Sequence, residues 1–367
     1  MRLFTLAAMT VSAAAFGLGT APAARAATET KLSGPYIHDN LAVYFIHGAS
    51  AAGAVPLTLA EALAKGGVQV RETGSVNSLE IENTGDNDVF IQAGDIVKGG
   101  QQDRVLMMSM VLPAKSGKVP IGSYCVEQGR WSRRGAEDVK QFGSSADALP
   151  SREAKLAMKA PAKPQLAPTP GTAQGGFRGG DDTSKRQQEM WAAVANTQSK
   201  LGSRLGATVA EPQSATSLQL SLENEKLKAT RAAYVSSLQD KAADADIVGY
   251  VFAVNGRINS ADQYPSHELF KKMWPKLLAA SATEALGDAD KMRVGALPAS
   301  ATPPAPPSVT PAVADVAAFL TRAEEGASQD KAMGKLASQQ LRDTDAALYV
   351  EARKADGAWV HRNYLAK

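Results

Sequence analysis

Two short stretches of the chain concentrate residue types that could bind or process a ligand. The first, GDIVKGGQQDR, runs from Gly94 to Arg104, and the second, CVEQGRW, runs from Cys125 to Trp131. Together they contain carboxylates that can transfer protons, arginines that can hold anions and an aromatic ring that can stack. These types indicate a polar binding or catalytic site. A structural salt-bridge network uses the same residue types, so both interpretations stay open.

The predicted site divides its work between charged and uncharged groups. Arg104 or Arg130 would hold a carboxylate or phosphate through two parallel hydrogen bonds, and Trp131 would offer a stacking face. Asp103 and Glu127 would handle protons or bind a cation, which makes them the candidate catalytic residues. The glycines would let backbone N–H groups approach an anion closely. The candidate ligand-binding residues are Gly99, Gly100, Gln102, Arg104, Gln128, Arg130 and Trp131.

Strand alternation predicts how the two stretches meet. In a strand that follows Gly100, side chains alternate between two faces, and both faces are apolar beyond the charged pair Asp103 and Arg104. Such a strand is central in its sheet, and its charged pair lies at the strand's mouth, where buried ions need partners. If the strand that contains Cys125 is its neighbour, this pair lies beside Glu127 and Arg130.

The single cysteine and the four histidines give no second site. Cys125 as a nucleophile would need a base within hydrogen-bond reach, and no histidine forms a local signature with it. A small apolar strand residue is the favoured interpretation. The histidines are too scattered to give the ligand spacing of structural zinc, so we predict no metal site and leave the cofactor unknown. The basic run RWSRRG, 130–135, could attract an anionic ligand, but an isolated basic run is more typical of a solvated turn.

The N-terminal residues 1–26 have the pattern of a secretory signal peptide. One basic residue precedes an uncharged apolar run that ends in the small-x-small motif Ala24-Arg25-Ala26. We therefore expect a periplasmic or secreted protein. The single cysteine allows no intrachain disulfide. No later apolar segment is long enough to span a bilayer, so the protein should not insert into a membrane after cleavage.

The overall charge argues against a polyanionic partner. Cleavage would remove Arg2 and Arg25, which lowers the basic residues from 40 to 38 against 37 acidic ones and the net charge from +3 to +1. No protein-wide positive field remains to attract nucleic acid or an anionic membrane surface. An anionic small molecule remains the predicted ligand class, and the sequence does not identify a protein partner.

Composition divides the mature chain into two folded halves. Residues 27–143 form a β-rich half, residues 144–185 a flexible insert rich in Pro, Gly and Ala, and residues 186–367 an α+β half. A second Pro-rich stretch at 296–312 is predicted to be a semi-rigid spacer within the last half.

The two halves carry different secondary-structure signals. The first shows five or six strands separated by turn residues and one short helix, with Thr58 and Glu61 spaced as a capping box. The second shows helices near 185–201, 220–243 and from Ser266 onward, with hairpins at Asn255-Gly256 and in the C-terminal 347–366. We predict an α+β fold: an antiparallel β-sandwich or partial barrel followed by an α-rich segment with β-hairpins.

The order of several motifs resembles a known family. SVNSLEIEN, VFIQAGDIVKGGQQDRVL, CVEQGRW, VGYVFAVNGRI, MWPKLL and WVHRNYL are similar to the ARG and rhodanese-phosphatase-superfamily-associated protein domain family. The resemblance implies that both halves belong to one family unit. It also implies a role near ADP-ribose or NAD-derived metabolites, because the family is named for its association with ADP-ribosylglycohydrolases. It supplies no established catalytic residues.

Two functional hypotheses follow. In the first, an exported protein binds or processes an anionic small molecule through its Gln/Asp/Arg/Glu cluster. In the alternative, the cluster is a structural salt-bridge network in a non-enzymatic cell-envelope interaction or scaffold protein. The sequence does not decide whether the protein is an enzyme.

Overall fold

A computed structural model describes residues 31–159, 180–289 and 309–367. Within these residues the chain forms strands and helices in both halves, which confirms the predicted α+β class. No helix of these three ranges is long and apolar enough to cross a bilayer. The predicted signal peptide lies outside the described residues.

The first half contributes eleven strands and two helices to the described part of the chain. Its strands are β1 (Leu32–His38), β2 (Leu41–His47), β3 (Leu57–Thr58), β4 (Val68–Glu72), β5 (Ser78–Asn83), β6 (Val89–Ile91), β7 (Asp95–Gly99), β8 (Arg104–Leu106), β9 (Met110–Leu112), β10 (Gly117–Cys125) and β11 (Phe142–Ala148). Its helices are α1 (Leu59–Ala64) and α2 (Arg152–Lys159).

The second half is richer in helix. Its helices are α3 (Gly180–Leu205), α4 (Leu218–Glu223), α5 (Glu225–Leu238), a 3₁₀ turn (Gln239–Ala242), α6 (His267–Asp288) and α7 (Val313–Glu324). Its strands are β12 (Ile247–Val254), β13 (Arg257–Gln263), β14 (Ser328–Met333), β15 (Ala337–Asp343), β16 (Ala347–Lys354) and β17 (Trp359–Ala366).

An eight-stranded antiparallel sheet joins the two halves. Its order is β1-β2-β12-β13-β17-β16-β15-β14, so the hairpin of β1 and β2 joins strands from the C-terminal third of the chain through the pairing of β2 with β12. Strands β2 and β12 are apolar at nearly every position because both faces of the sheet are covered. Val43 and Phe45 pack on the α6 side, whereas Tyr44 and Ile46 pack on the α7 side. This sheet therefore contains strands from both predicted halves.

The hairpin at Asn255-Gly256 is confirmed. It joins β12 to β13, and its two residues have φ angles of 51° and 74°. Both lie in the left-handed region that a two-residue hairpin turn needs, which asparagine and glycine tolerate best. The C-terminal hairpin is also confirmed, with β16 paired to β17.

A six-stranded sheet from the first half curls into a partial barrel. Its order is β11-β7-β8-β10-β5-β4, and the two edge strands approach each other through a bridge between Arg71 and Gln141. β8 lies between β7 and β10 and is buried at all three positions. This confirms the predicted central strand, and it places the end of β8 at one mouth of the barrel.

A small sheet, β3-β6-β9, completes the first half. The capping box of α1 is confirmed: Thr58 Oγ1 accepts a hydrogen bond from the Glu61 amide, and the Glu61 carboxylate accepts one from the Thr58 amide. The run DRVLMMSMV, predicted to be one strand, is divided between β8 and β9, which belong to different sheets. The chain leaves the barrel between them, and Ser109 there accepts a hydrogen bond from the Ala93 amide.

The predicted insert is narrower than the sequence suggested. Residues 144–148 belong to β11, residues 152–159 form α2, and α3 begins at Gly180, so residues 144–159 and 180–185 are structured. The helix predicted from Leu220 to about Ala243 is divided because the Asn224 side chain accepts hydrogen bonds from the Lys226 and Leu227 amides and begins α5. Residues 160–179 and most of the Pro-rich 296–312 lie outside the described residues.

Candidate functional site

The two motif stretches meet at the mouth of the barrel, as their strand pattern predicted. β8 and β10 pair antiparallel with Cys125 opposite Arg104. One residue before β8, the Asp103 carbonyl accepts a hydrogen bond from the Val126 amide at 3.1 Å. The Asp103 amide in turn donates to Glu127 Oε2 at 3.0 Å. This register places the two candidate carboxylates side by side.

Asp103 is fully buried and both of its oxygens are occupied. Oδ1 accepts hydrogen bonds from the Gly99 amide and from a terminal nitrogen of Arg134, both at 3.0 Å. Oδ2 accepts from the other terminal nitrogen of Arg134 at 2.7 Å and from Ser217 Oγ at 2.9 Å. Ser217 is also the N-cap of α4, so this carboxylate fastens a helix of the second half to the barrel.

Glu127 is equally enclosed. Its Oε2 lies 2.7 Å from a terminal nitrogen of Arg130, and its Oε1 lies 3.3 Å from Arg134. Ser214 adds a hydrogen bond to the carboxylate. Asp103, Glu127, Arg130 and Arg134 therefore form one network, which we call the mouth cluster.

The mouth cluster moves the pKa values of its two carboxyls in opposite directions. Burial, and then the neighbouring charge of Glu127, raise the pKa of Asp103 in spite of Arg134. Burial also disfavours the charge of Glu127, but hydrogen bonds from Arg130 and Ser214 outweigh it and lower the pKa. The different environments of these two neighbouring carboxyls thus move their pKa values apart. Such a separation of pKa values is found both in catalytic pairs and in structural networks.

Arg104 lies deeper than the sequence suggested for a ligand-binding residue. Its side chain has no exposed surface, donates to the Gln102 carbonyl oxygen at 2.9 Å and lies 3.4 Å from Glu72 Oε1. Trp131 covers the guanidinium, with 5.6 Å between the ring centroid and Cζ, and is itself 46% exposed. Direct contact between Arg104 and a ligand would require this cover to move, whereas Trp131 is accessible.

The glycine amides serve the protein rather than an open anion site. The Gly99 amide donates to Asp103, and the Gly100 amide donates to the carbonyl oxygens of Asp138 and Gln141. Their own carbonyl oxygens accept hydrogen bonds from Arg130 at 3.3 and 3.2 Å. The two backbone N–H groups that were predicted to approach an anion are therefore already bonded to acceptors of the protein itself.

A cleft of about 740 Å³ lies against the outer side of the mouth cluster. Its lining includes three arginines and five side chains with hydroxyl or amide groups that could bind polar atoms, and it contains no aspartate or glutamate. The exposed candidate Gln128 lies at its wall, and its carbonyl oxygen accepts a hydrogen bond from Thr216 at 2.6 Å. The lining residues are Gln128, Gly129, Arg130, Ser132, Arg133, Arg134, Gly135, Gln213, Ser214, Ala215 and Thr216.

Cys125 behaves as a buried strand residue. Its side chain has no exposed surface, and burial raises the pKa of the thiol to about 11. Gln187 of α3 forms hydrogen bonds with its backbone N–H and carbonyl, each at 2.9 Å. The favoured interpretation of Cys125 as a packing residue agrees with this environment.

Two groups of functional residues were missed by the sequence reasoning. Arg134 was assigned to a solvated turn, but its side chain is only 6% exposed and holds both carboxylates of the mouth cluster. Ser214 and Ser217 come from a loop some eighty residues further along the chain. No local pattern predicts either contact, although the three arginines within seven residues of Glu127 are compatible with a partner for its carboxylate.

Within the described residues, no group of three or more His, Cys, Asp and Glu side chains is arranged to hold a metal ion. Comparisons with curated proteins and with solved structures gave no significant match. The model of the ARG and Rhodanese-Phosphatase-superfamily-associated Protein domain matches residues 29–365. That range includes both halves and every residue of the mouth cluster. The chain therefore belongs to the ARG and Rhodanese-Phosphatase-superfamily-associated Protein domain family.

Proposed function

We propose that this protein is exported and binds an anionic small molecule in the cleft beside the mouth cluster. The proposal rests on the positive charge of the residues that line the cleft, which include three arginines and no acidic residue. Asp103 and Glu127, which balance Arg130 and Arg134, have no exposed surface and lie behind them. Glu137, a further partner of Arg134, is 31% exposed but is not part of the lining. An anion in the cleft would meet guanidinium groups first.

The arginines are positioned before a ligand arrives. The side chains of Arg130 and Arg134 are 8% and 6% exposed and are fixed by carboxylates and backbone carbonyls. Little side-chain entropy is then lost on binding. Arg133 is exposed and has no hydrogen bond or ion pair with any described residue, so it supplies the uncompensated positive charge. The planar guanidinium suits the paired oxygens of phosphate or carboxylate.

The volume of the cleft and the association of the family narrow the class of ligand. The cleft volume lies within the range usual for small-molecule sites, which is about 300–1,000 Å³. Trp131 adjoins two lining residues and leaves about half of its surface free to stack on a base. The family's association with ADP-ribosylglycohydrolases supports ADP-ribose or a related NAD-derived anion as the ligand.

The roles of Asp103 and Glu127 as catalytic residues stay predictions. Because every carboxylate oxygen already accepts hydrogen bonds, the geometry favours positioning of Arg130 and Arg134 over proton transfer. The same saturation supports the alternative function, in which the mouth cluster is a purely structural network of a scaffold protein. The two functions differ in whether the cleft binds an anion.

Thermal unfolding with three probes separates these functions. ADP-ribose and inorganic pyrophosphate should raise the melting temperature, and added salt should weaken both effects, whereas uncharged adenosine should have little effect. Pyrophosphate binding without ADP-ribose binding would keep the anion cleft and reject the nucleotide assignment. If neither anion shifts the transition, the scaffold function is favoured.

A further inference from the structure

Ser33, His47 and Asp246 form a hydrogen-bonded chain at one end of the eight-stranded sheet. His47 Nε2 lies 2.8 Å from Ser33 Oγ, and His47 Nδ1 lies 2.7 Å from Asp246 Oδ1. None of the three lines the arginine cleft. A hydroxyl, an imidazole and a carboxylate in this order are the parts of a nucleophilic site.

Three neighbouring strands fix the positions of these residues. Ser33 of β1 pairs with Phe45 of β2, and His47 at the end of β2 pairs with Ile247, the residue after Asp246. Backbone hydrogen bonds from His47 to the Lys31 carbonyl oxygen and from Gly48 to the Asp246 carbonyl oxygen hold the ends of the strands together. The His47 side chain is only 5% exposed, so its ring has little freedom to turn.

The hydrogen bonds select the reactive form of the imidazole. Asp246 Oδ1 accepts a hydrogen bond from the N–H at Nδ1, so the other ring nitrogen, Nε2, carries the lone pair that faces the Ser33 hydroxyl. Hydrogen bonds from His47 and from Lys31 lower the pKa of Asp246, so the carboxylate stays charged at neutral pH. His47 can therefore accept the hydroxyl proton as Ser33 attacks.

A second hydrogen-bonded series of serine, histidine and aspartate lies elsewhere in the protein, in a buried and structural setting. Ser109, His361 and Asp262 are all buried, and the ring is reversed, with Nδ1 on serine and Nε2 on aspartate. Ser109 Oγ also accepts a hydrogen bond from the Ala93 amide. Ser33, by contrast, is partly exposed, and within the described residues His47 is the hydrogen-bond partner of its hydroxyl.

We propose that Ser33 is the nucleophile of a second site that cleaves small activated carboxylic esters. Ser33 Oγ bonds to the acyl carbon while its proton moves to His47 Nε2; the ester C–O bond then breaks, and the alcohol leaves with that proton. Water next attacks the acyl-serine and gives a proton to Nε2, which returns it to Ser33 Oγ as the acid leaves. Asp246 acts as a positioning residue that orients the ring.

A fluorophosphonate probe tests the nucleophile, because its phosphorus bonds to an activated serine and fluoride leaves. Full-length wild-type protein should be labelled at Ser33, as shown by peptide mass spectrometry. Ser33→Ala should abolish labelling, and His47→Gln should slow it by roughly 100-fold or more. Asp244→Asn is the matched control, since it removes an exposed carboxylate two residues from Asp246 that is not part of the hydrogen-bonded series, and it should be labelled at a rate close to that of the wild type.

Conservative replacement tests Asp246 separately. In Asp246→Asn the His47 ring loses the carboxylate that accepts a hydrogen bond from its Nδ1–H, so the labelling rate should fall by roughly 100-fold or more. Asp246→Glu keeps a carboxylate and should recover part of that rate. Variants are compared only where circular dichroism shows the native fold. Absence of labelling in folded wild-type protein, or labelling that Ser33→Ala retains, would overturn the proposal.

Discussion

Asp103 and Arg134 are joined by two hydrogen bonds, with the terminal nitrogens of the guanidinium 2.7 and 3.0 Å from the two carboxylate oxygens. The pair connects the start of β8 to the loop that follows β10, and it lies at the floor of the arginine cleft. Because both side chains are buried, neither charge can be solvated if the other is removed. This one contact therefore couples the stability of the barrel mouth to the shape of the proposed binding site.

The first prediction concerns that pair. Arg134→Ala leaves Asp103 buried without its main partner, so the free energy of unfolding should fall by about 3–5 kcal/mol. Arg133→Ala removes the adjacent exposed arginine and should change it by no more than about 0.5 kcal/mol. Urea unfolding of both variants gives the comparison. Equal small losses would mean that the mouth cluster contributes little to stability.

The second prediction concerns two glycines. Gly100 has a φ of +54°, and a methyl group there would lie 2.4 Å from the Phe142 ring. Gly129 has a φ of +87°, and nothing lies within 4 Å of a methyl group at that position. Gly129→Ala should cost about 1–2 kcal/mol through backbone strain alone. Gly100→Ala should cost about 1–3 kcal/mol more through overpacking. A reversed order in urea unfolding would contradict the described packing.

The third prediction concerns the thiol of Cys125. With its pKa raised to about 11 by burial, about one thiol in a thousand is ionised at pH 8. Native protein should therefore react with a chromogenic disulfide far more slowly than the same protein in guanidinium chloride, where the thiol is exposed. Rapid reaction of the folded protein would show that the thiol is accessible and activated.

The fourth prediction concerns Lys159 at the end of α2, which donates a hydrogen bond to Asn363 Oδ1 of β17 at 2.6 Å. Burial, together with the charge of Lys155 and against the attraction of Asp262, lowers the pKa of Lys159 to about 8. The unfolded chain then binds more protons than the folded one between about pH 8 and the ordinary value of 10.5. This group's contribution to the free energy of unfolding should rise across that window.

Lysine-selective NMR titration checks the value directly. A lysine signal should titrate near pH 8, and that signal should be missing in Lys159→Met. The rise in stability between pH 8 and 10.5 should also be smaller in the variant. A Lys159 midpoint at or above 10 would contradict the assignment.

Contacts set by local pattern could be predicted from the sequence. Alternating apolar residues identified β8 as central, and its pairing with β10 brought Asp103 to Glu127, because strand register extends a few residues beyond each strand. The capping and hairpin signals were equally informative because they are local. Thr58 and Glu61, which lie three residues apart, cap a helix, and Asn255-Gly256 forms the turn between two adjacent strands.

Contacts made by loops and by distant strands could not be predicted in this way. Arg134 lies in a loop whose path depends on ion pairs with Asp103 and Glu137 and on a turn closed by the hydrogen bond from the Glu137 amide to the Arg134 carbonyl oxygen, so its residue type alone suggested solvent. The pairing of β2 with β12 joins segments about two hundred residues apart, which no short-range periodicity encodes. The low-complexity composition after Ser144 likewise concealed α2, whose apolar Ala154 and Met158 pack into the core.

The central claim, that the arginine cleft binds an anion, is tested most directly by calorimetric titration of ADP-ribose into two charge-matched variants. Arg133→Gln removes the unpaired cation of the cleft, and Arg257→Gln removes an exposed arginine from the distant β12–β13 hairpin. The account predicts that Arg133→Gln raises the Kd by about tenfold or more, as expected for the loss of a hydrogen bond to a charged group, while Arg257→Gln leaves it within about twofold. Equal Kd values for the two variants, or no measurable binding of either ADP-ribose or pyrophosphate to the wild type, would contradict it.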